Sequence, residues 1–193
     1  MTELVDAGRN RVVGGSRRKL LGRVLGVGVV VVVLVWLALG AVGGSDTPEF
    51  EADAPEVALP APGELPAVDS ETFEGMVSGA RGRPVIVNIW ASWCAPCRTE
   101  TPLLQRASEE YGDRITILGV ASDDGADEAA AFMAEFGLTY PNVLDASGDV
   151  RAELGLTAFP TTYLIDRGGT LLHRITGGIS EQELVALIEE GLR

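Results

Sequence analysis

Residues Val85–Pro102 read VIVNIWASWCAPCRTETP. A short apolar run leads, through Ala91, Ser92 and Trp93, to the only two cysteines of the chain, Cys94 and Cys97, with Pro96 between them. The run is β-branched, of strand length, and preceded by the turn signal GARGRP, so it predicts a buried strand. The stretch after it, RTETPLLQRASEEY, has helical spacing, with Leu103, Leu104 and Ala107 on one side. The cysteine pair therefore sits where a strand hands over to a helix.

Two intervening residues suit a redox dithiol and also half of a zinc site. Zinc usually takes four Cys or His ligands, and this chain has two Cys and one His, His173, in a predicted hairpin. A purely structural disulfide would close a very small loop and stabilise little. A redox-active pair fits the placement better. Thiolate is the reactive form, and the N–H groups and dipole at a helix start lower a thiol pKa. Cys94, at the exposed end, is the expected attacking thiol, and Cys97, one turn in and more buried, the resolving thiol. Pro96 lacks an N–H and suits the first turn. Trp93 reads as a packing aromatic, a rim for a partner, or both. No metal and no cofactor is implied.

Outward from the motif, ITILGVA (Ile115–Ala121) predicts a second buried strand and DGADEAAAFMAEFG a helix, with Phe132 and Phe136 at i,i+4 and Gly137 as C-cap. YPNVLD is a short extended piece and GDVRAELG a short helix. TTYLIDRGGTLLHRIT predicts a hairpin, and SEQELVALIEEGL a helix opened by a Ser180–Glu183 capping box. The order β-α-β-α-β-α-β-β-α implies parallel strands with crossover helices, followed by antiparallel ones.

The N-terminal quarter differs in kind. Residues 24–45, VLGVGVVVVVLVWLALGAVGGS, carry no charge and are long enough to span a bilayer. Six basic residues within 1–23 precede them and place that end in the cytoplasm. A cleaved signal peptide, and hence secretion, is the alternative. Residues 46–66 are rich in Pro, Ala and acid and read as an extracytoplasmic linker on the lipid-anchored side of a domain at 67–193. Residues 46–193 carry 26 acidic residues against 9 arginines, a net charge of −17 that argues against nucleic-acid binding.

WCAPC after a buried strand resembles the thioredoxin superfamily. With FPTTYLIDRGGTLLHRITG added, residues 66–193 resemble its membrane-anchored TlpA, ResA and CcmG/DsbE-like branch, the redoxins. The resemblance implies an α/β thioredoxin-like fold, a central mixed sheet flanked by helices, with a helix-strand insert at 123–144 and a transmembrane helix ahead of it. It implies that Pro160 is the cis-proline facing the dithiol, that Phe159 and Thr161 beside it, with Trp93, Ala95 and Pro96, meet the client, and that Pro102 kinks the long active-site helix. Two departures stand out. Where many thioredoxins carry a buried acid the chain has Asn88, and where relatives tied to cytochrome maturation carry a glutamate it aligns Thr116. Glu100 reads as a solvated helix residue, with proton transfer to Cys97 as its alternative.

The implied activity is extracytoplasmic thiol-disulfide exchange. As a reductant, the chain would act on client proteins such as apocytochrome c and draw electrons from a membrane thiol reductase. The alternatives are a general disulfide oxidase or isomerase and a non-catalytic binding or chaperone module. Peroxide reduction wants Thr or Ser three residues before the cysteine, where Ala91 and Cys94 stand.

Overall fold

The computed structural model describes residues 54–193. The expected membrane segment at 24–45, the basic N-terminus and the first part of the linker lie outside the described residues. Among the described residues, no helix is long and apolar enough to cross a membrane.

The architecture is organised on β1 (Val85–Trp90), which is buried at all six positions. Strand side chains alternate, so its two faces join two different cores. Val85, Val87 and Ile89 enter one core and Ile86 and Trp90 the other. Asn88 shares the face of Ile86 and Trp90 and is the one polar residue of the strand. β1 pairs in parallel with β2 (Thr116–Ser122), which pairs in parallel with β3 (Asn142–Asp145). On its other side β1 pairs antiparallel with β4 (Thr161–Ile165), followed by β5 (Leu171–Thr176). The sheet order is β3-β2-β1-β4-β5.

Helix α1 (Ser70–Gly79) precedes β1, α2 (Ala95–Tyr111) joins β1 to β2, and α3 (Ala126–Phe136) joins β2 to β3. Helix α4 (Asp149–Glu153) leads to β4, and α5 (Glu181–Gly191) closes the chain. Leu104 and Ala107 of α2, Phe132 and Met133 of α3, and Leu184 and Ile188 of α5 pack on the Ile86/Trp90 face. Phe73, Met76 and Val77 of α1, with Val150 of α4, pack on the Val85/Val87/Ile89 face. This is the expected thioredoxin-like mixed sheet with helices on both sides.

The expected hairpin, the capping box and the Gly137 cap, with φ 60°, are present. One element was not anticipated. α1 is capped by Asp69, whose Oδ1 accepts the Thr72 N–H at 2.9 Å, and buries Phe73, Met76 and Val77 at helical spacing. The Pro-rich stretch also behaves differently in its second half. The Val57 N–H donates to the Gly75 carbonyl at 2.9 Å, and the Leu144 N–H to that of Pro66 at 2.9 Å. Residues from Pro55 to Pro66 thus lie against α1 and β3 as part of the domain surface, where a free-standing spacer was expected.

The insert is fixed to the core by a buried polar contact. Trp90 Nε1–H donates to Asn142 Oδ1 at 3.1 Å while its ring stacks on Phe132, centroids 4.5 Å apart. Gly119, between them on β2, leaves the space: a Cβ there would lie 1.9 Å from Asn142 Oδ1. Gly119→Ala must therefore expel the Asn142 amide and orphan a buried indole N–H. The expected loss is about 2–4 kcal/mol, read as a lower urea midpoint at unchanged slope.

Candidate active site

β1 ends beneath the cysteine pair, and Cys94 is the N-cap residue of α2. An N-cap side chain normally accepts a hydrogen bond from the first-turn N–H groups, which have no intrahelical partner. Here the acceptor is sulfur: the Cys97 N–H points at Cys94 Sγ, 3.2 Å away. The same N–H would stabilise a Cys94 thiolate. The two cysteines form a disulfide with Cα atoms 5.3 Å apart. Cys97 is fully buried, as expected, but Cys94 is only 4% exposed, so the expectation of an exposed first sulfur needs correction for the oxidised state. The exposed positions are its neighbours Trp93, Ala95 and Pro96. Helix α2 continues through Pro102.

Across the motif lies the Phe159–Pro160 cis peptide bond. Phe159 meets Trp93 edge-to-face, centroids 5.3 Å apart, giving an aromatic rim beside the disulfide. Trp93 is 59% exposed, and its Nε1–H donates to the Asp123 carbonyl at 2.9 Å. Ser92 donates to Asp124 with both its N–H and its hydroxyl. The turn after β2 thus clamps the two residues ahead of Cys94, a role that sequence reasoning missed. Thr161, expected to meet the client, is fully buried, and its hydroxyl donates to the Ala158 carbonyl at 2.8 Å. Its side chain holds the proline turn from within.

The larger correction concerns Glu100. It is 1% exposed rather than solvated. Oε1 accepts from Asn88 Nδ2 at 2.7 Å, and Oε2 accepts the Ile179 N–H at 2.7 Å. Asn88 Nδ2 also donates to Thr162 Oγ1, at 3.1 Å, its antiparallel partner on β4. Burial raises the Glu100 pKa to about 7, against the lowering effect of the Ile179 and Asn88 hydrogen bonds. Tyr140's own deep burial, and to a lesser degree the Glu100 charge, push its phenol up.

The sequence signal for Glu100 was present. Leu104 and Ala107 define the buried stripe of α2, and stepping back by three and four residues reaches Glu100 and then Cys97. Thr116 is brought nowhere near the site. It pairs with Val85, at the opposite end of β1 from Trp90, about 16 Å away along the strand at the usual rise per residue. His173 lies on β5 and meets Glu190 of α5 at 2.9 Å, a surface pair that joins the hairpin to the last helix.

The site thus holds a disulfide at a helix start, an aromatic rim, a cis-proline turn and one buried carboxylate on the helix of Cys97. The redoxin family model matches residues 44–188 of the chain. The chain is 34% identical over 139 residues to the thiol:disulfide interchange protein HelX of Rhodobacter capsulatus, covering 71% of this chain and 73% of that one. It is 31% identical over 160 residues to the thiol-disulfide oxidoreductase ResA of Geobacillus thermodenitrificans, covering 81% and 91%. Among solved structures, a thiol:disulfide interchange protein of Chlorobium tepidum superposes with a TM-score of 0.57 at 26% identity, covering 71% of this chain and 99% of that one. The chain therefore belongs to the redoxin family, related to its thiol-disulfide oxidoreductases, and the Cys94–Cys97 pair is its redox centre.

Proposed function

We propose that the protein is a membrane-anchored, extracytoplasmic reductant of client-protein disulfides, with Cys94 as attacking and Cys97 as resolving thiol. The observation that carries the exchange is the Cys94–Cys97 disulfide at the start of α2, with Glu100 one helical turn beyond the fully buried Cys97, where near pKa 7 it can take a proton from it; the reducing direction is taken from the resemblance to the ResA and CcmG/DsbE-like branch. The Cys94 thiolate, held by the Cys97 N–H, attacks one sulfur of a client disulfide. The client's other sulfur leaves as a thiolate and is protonated from solvent. Glu100 accepts the Cys97 proton, the Cys97 thiolate attacks Cys94 Sγ, and the second client sulfur leaves. Two electrons pass to the client, the Cys94–Cys97 disulfide remains, and a membrane thiol reductase would return the dithiol.

The client chain is held against the Trp93–Phe159 rim and the Pro160 turn, with Ala95 and Pro96 exposed beside Cys94. The relatives named for thiol-disulfide interchange and oxidoreduction support exchange with a client protein, and from the resemblance to the cytochrome-maturation branch the client proposed is apocytochrome c. The uncharged stretch at 24–45 and the basic cluster before it support anchoring in the bilayer with the N-terminus cytoplasmic.

Cys97→Ala in the full-length protein should accumulate mixed disulfides through Cys94, resolved by non-reducing electrophoresis and identified by mass spectrometry. Cys94→Ser should accumulate none. A Cys94→Ser protein that still sustains function would sink the redox reading in favour of a binding module. A measured potential near that of a strong oxidant, about −120 mV, would reverse the direction.

Glu100→Gln should slow client release about 100-fold or more while leaving the attack by Cys94 intact, and should remove a rate increase centred near pH 7. It should also change the pH dependence of stability. The folded pKa is raised from 4.5 to about 7, so the folded state binds the extra proton in that window. Wild-type stability is therefore fully present below about 4.5 and falls as pH rises through about 7, by on the order of 3 kcal/mol. Urea unfolding of the oxidised proteins at pH 5 and pH 8 should show this fall in the wild type and not in Glu100→Gln.

A further inference from the structure

Asn88 stands in the middle of a strand that is otherwise apolar and fully buried, where an amide is costly unless its hydrogen bonds are made. Both hydrogens of its Nδ2 are used: one donates to Glu100 Oε1 at 2.7 Å and the other to Thr162 Oγ1 at 3.1 Å. The reversed amide would set its carbonyl oxygen against an ionised carboxylate, so the donor orientation is the one that fits. Glu100 Oε2 is held from the opposite side by the Ile179 N–H at 2.7 Å. Both supports lead to the proline turn. Thr162 is two residues beyond Pro160, and the Gly177 N–H, two residues before Ile179, donates to the Pro160 carbonyl at 2.8 Å.

We infer that Asn88 is the positioning residue for Glu100 in thiol-disulfide exchange: its uncharged amide fixes the carboxylate beside Cys97 and sets the pH at which that carboxylate ionises. This rests on the reading of Glu100 as the proton acceptor. An amide can do both because it donates to the ionised form without adding a second titrating group to the cavity. The groups facing Glu100 are few. They are the Asn88 amide from β1, the Ile179 N–H and Gly178 from the turn before α5, the Tyr140 phenol ahead of β3, and Cys97 on its own helix. In the oxidised protein Cys97 carries no proton, and Tyr140 is held protonated far above neutrality, so Glu100 titrates alone.

Two substitutions separate positioning from mere packing. Asn88→Leu removes the donor and leaves desolvation less opposed, so the Glu100 midpoint should rise by about one pH unit or more. Asn88→Asp keeps the shape but places two carboxylates 2.7 Å apart at the former Nδ2 contact. Such a pair shares a proton and titrates in two macroscopic steps, one below and one above the single wild-type midpoint.

The measurement is a carbon-13 carboxyl NMR titration of the full-length oxidised protein, with the Glu100 resonance assigned by its loss in Glu100→Gln. The expected results are a single midpoint near 7 in the wild type, a raised midpoint in Asn88→Leu and a split titration in Asn88→Asp. If Asn88→Leu does not fold, the near-isosteric Asp variant decides alone. An unsplit Glu100 titration with an unmoved midpoint in Asn88→Asp overturns the inference. The pH profile of client-disulfide reduction tells the two readings apart. Should the carboxyl midpoints move while the rate profiles stay fixed, Asn88 sets the ionisation of Glu100 but the proton-acceptor role of Glu100 falls, and with it any part of Asn88 in exchange. Should Glu100→Gln abolish the profile while the Asn88 variants leave both midpoints and profiles in place, the acceptor role stands and positioning falls.

Discussion

The constraint on which the site depends is the burial of β1 on both faces. A strand sandwiched between two helical layers has no solvent to offer, so whatever polar atom it carries must be satisfied by the elements packed on it. β1 carries one polar side chain, Asn88, on which α2 and β4 converge through Glu100 and Thr162, while the turn before α5 reaches Glu100 through the Ile179 N–H. The same strand delivers Trp90 to the Asn142 amide and ends beneath Cys94. Fold and chemistry therefore share one requirement. The strand that centres the core also holds, through Asn88, the buried carboxylate on the helix of the redox cysteines.

That requirement explains why the disulfide pair lies at a helix start while the acid lies one turn further in. The N-terminal turn of α2 leaves N–H groups without intrahelical partners, and one of them, on Cys97, is aimed at Cys94 Sγ. In the proposed exchange, stabilising negative charge on Cys94 and removing a proton from buried Cys97 are different tasks, served by opposite environments. The first wants donors at the surface end of the helix; the second wants a base whose affinity for a proton has been raised by burial. The arrangement places both within two turns of one helix, with Cys94 as its cap and Glu100 on its buried stripe.

Much of this was legible in the amino-acid pattern. Short β-branched apolar runs and period-3.6 spacing, with glycine and capping signals, yield β1, β2, the hairpin, α2, α3 and α5, and the strand-to-helix placement of the cysteines marks the centre. What pattern reading passed over has a physical reason in each case. Helix α1 is only ten residues, and SETFEGMVSG carries two glycines, Gly75 and Gly79. Those glycines are needed because Pro55 and Val57 pass within 2.6 Å of where their Cβ atoms would be, a contact invisible along the chain. Glu100 looked solvated because a glutamate on a helix usually is, and its burial depends on partners 12 and 79 residues away. Thr116 was aligned with a functional position by resemblance, while register alone sets it at the far end of the strand.

A buried carboxylate opposes folding whenever it is ionised, and that cost bears on why Asn88 occupies its place. An acid at position 88 would put a second charge into the same cavity, and two carboxylates at hydrogen-bonding distance cannot both ionise near neutrality. An apolar residue there would leave Glu100 held by the Ile179 N–H alone and its proton affinity higher still, so that it would stay protonated when Cys97 must lose its proton. The amide lies between these limits. It offsets part of the desolvation of Glu100, adds no charge, and its second hydrogen reaches the strand that carries the proline turn. In the proposed exchange, the residue that seemed to remove a proton route from β1 is the one that lets α2 supply it.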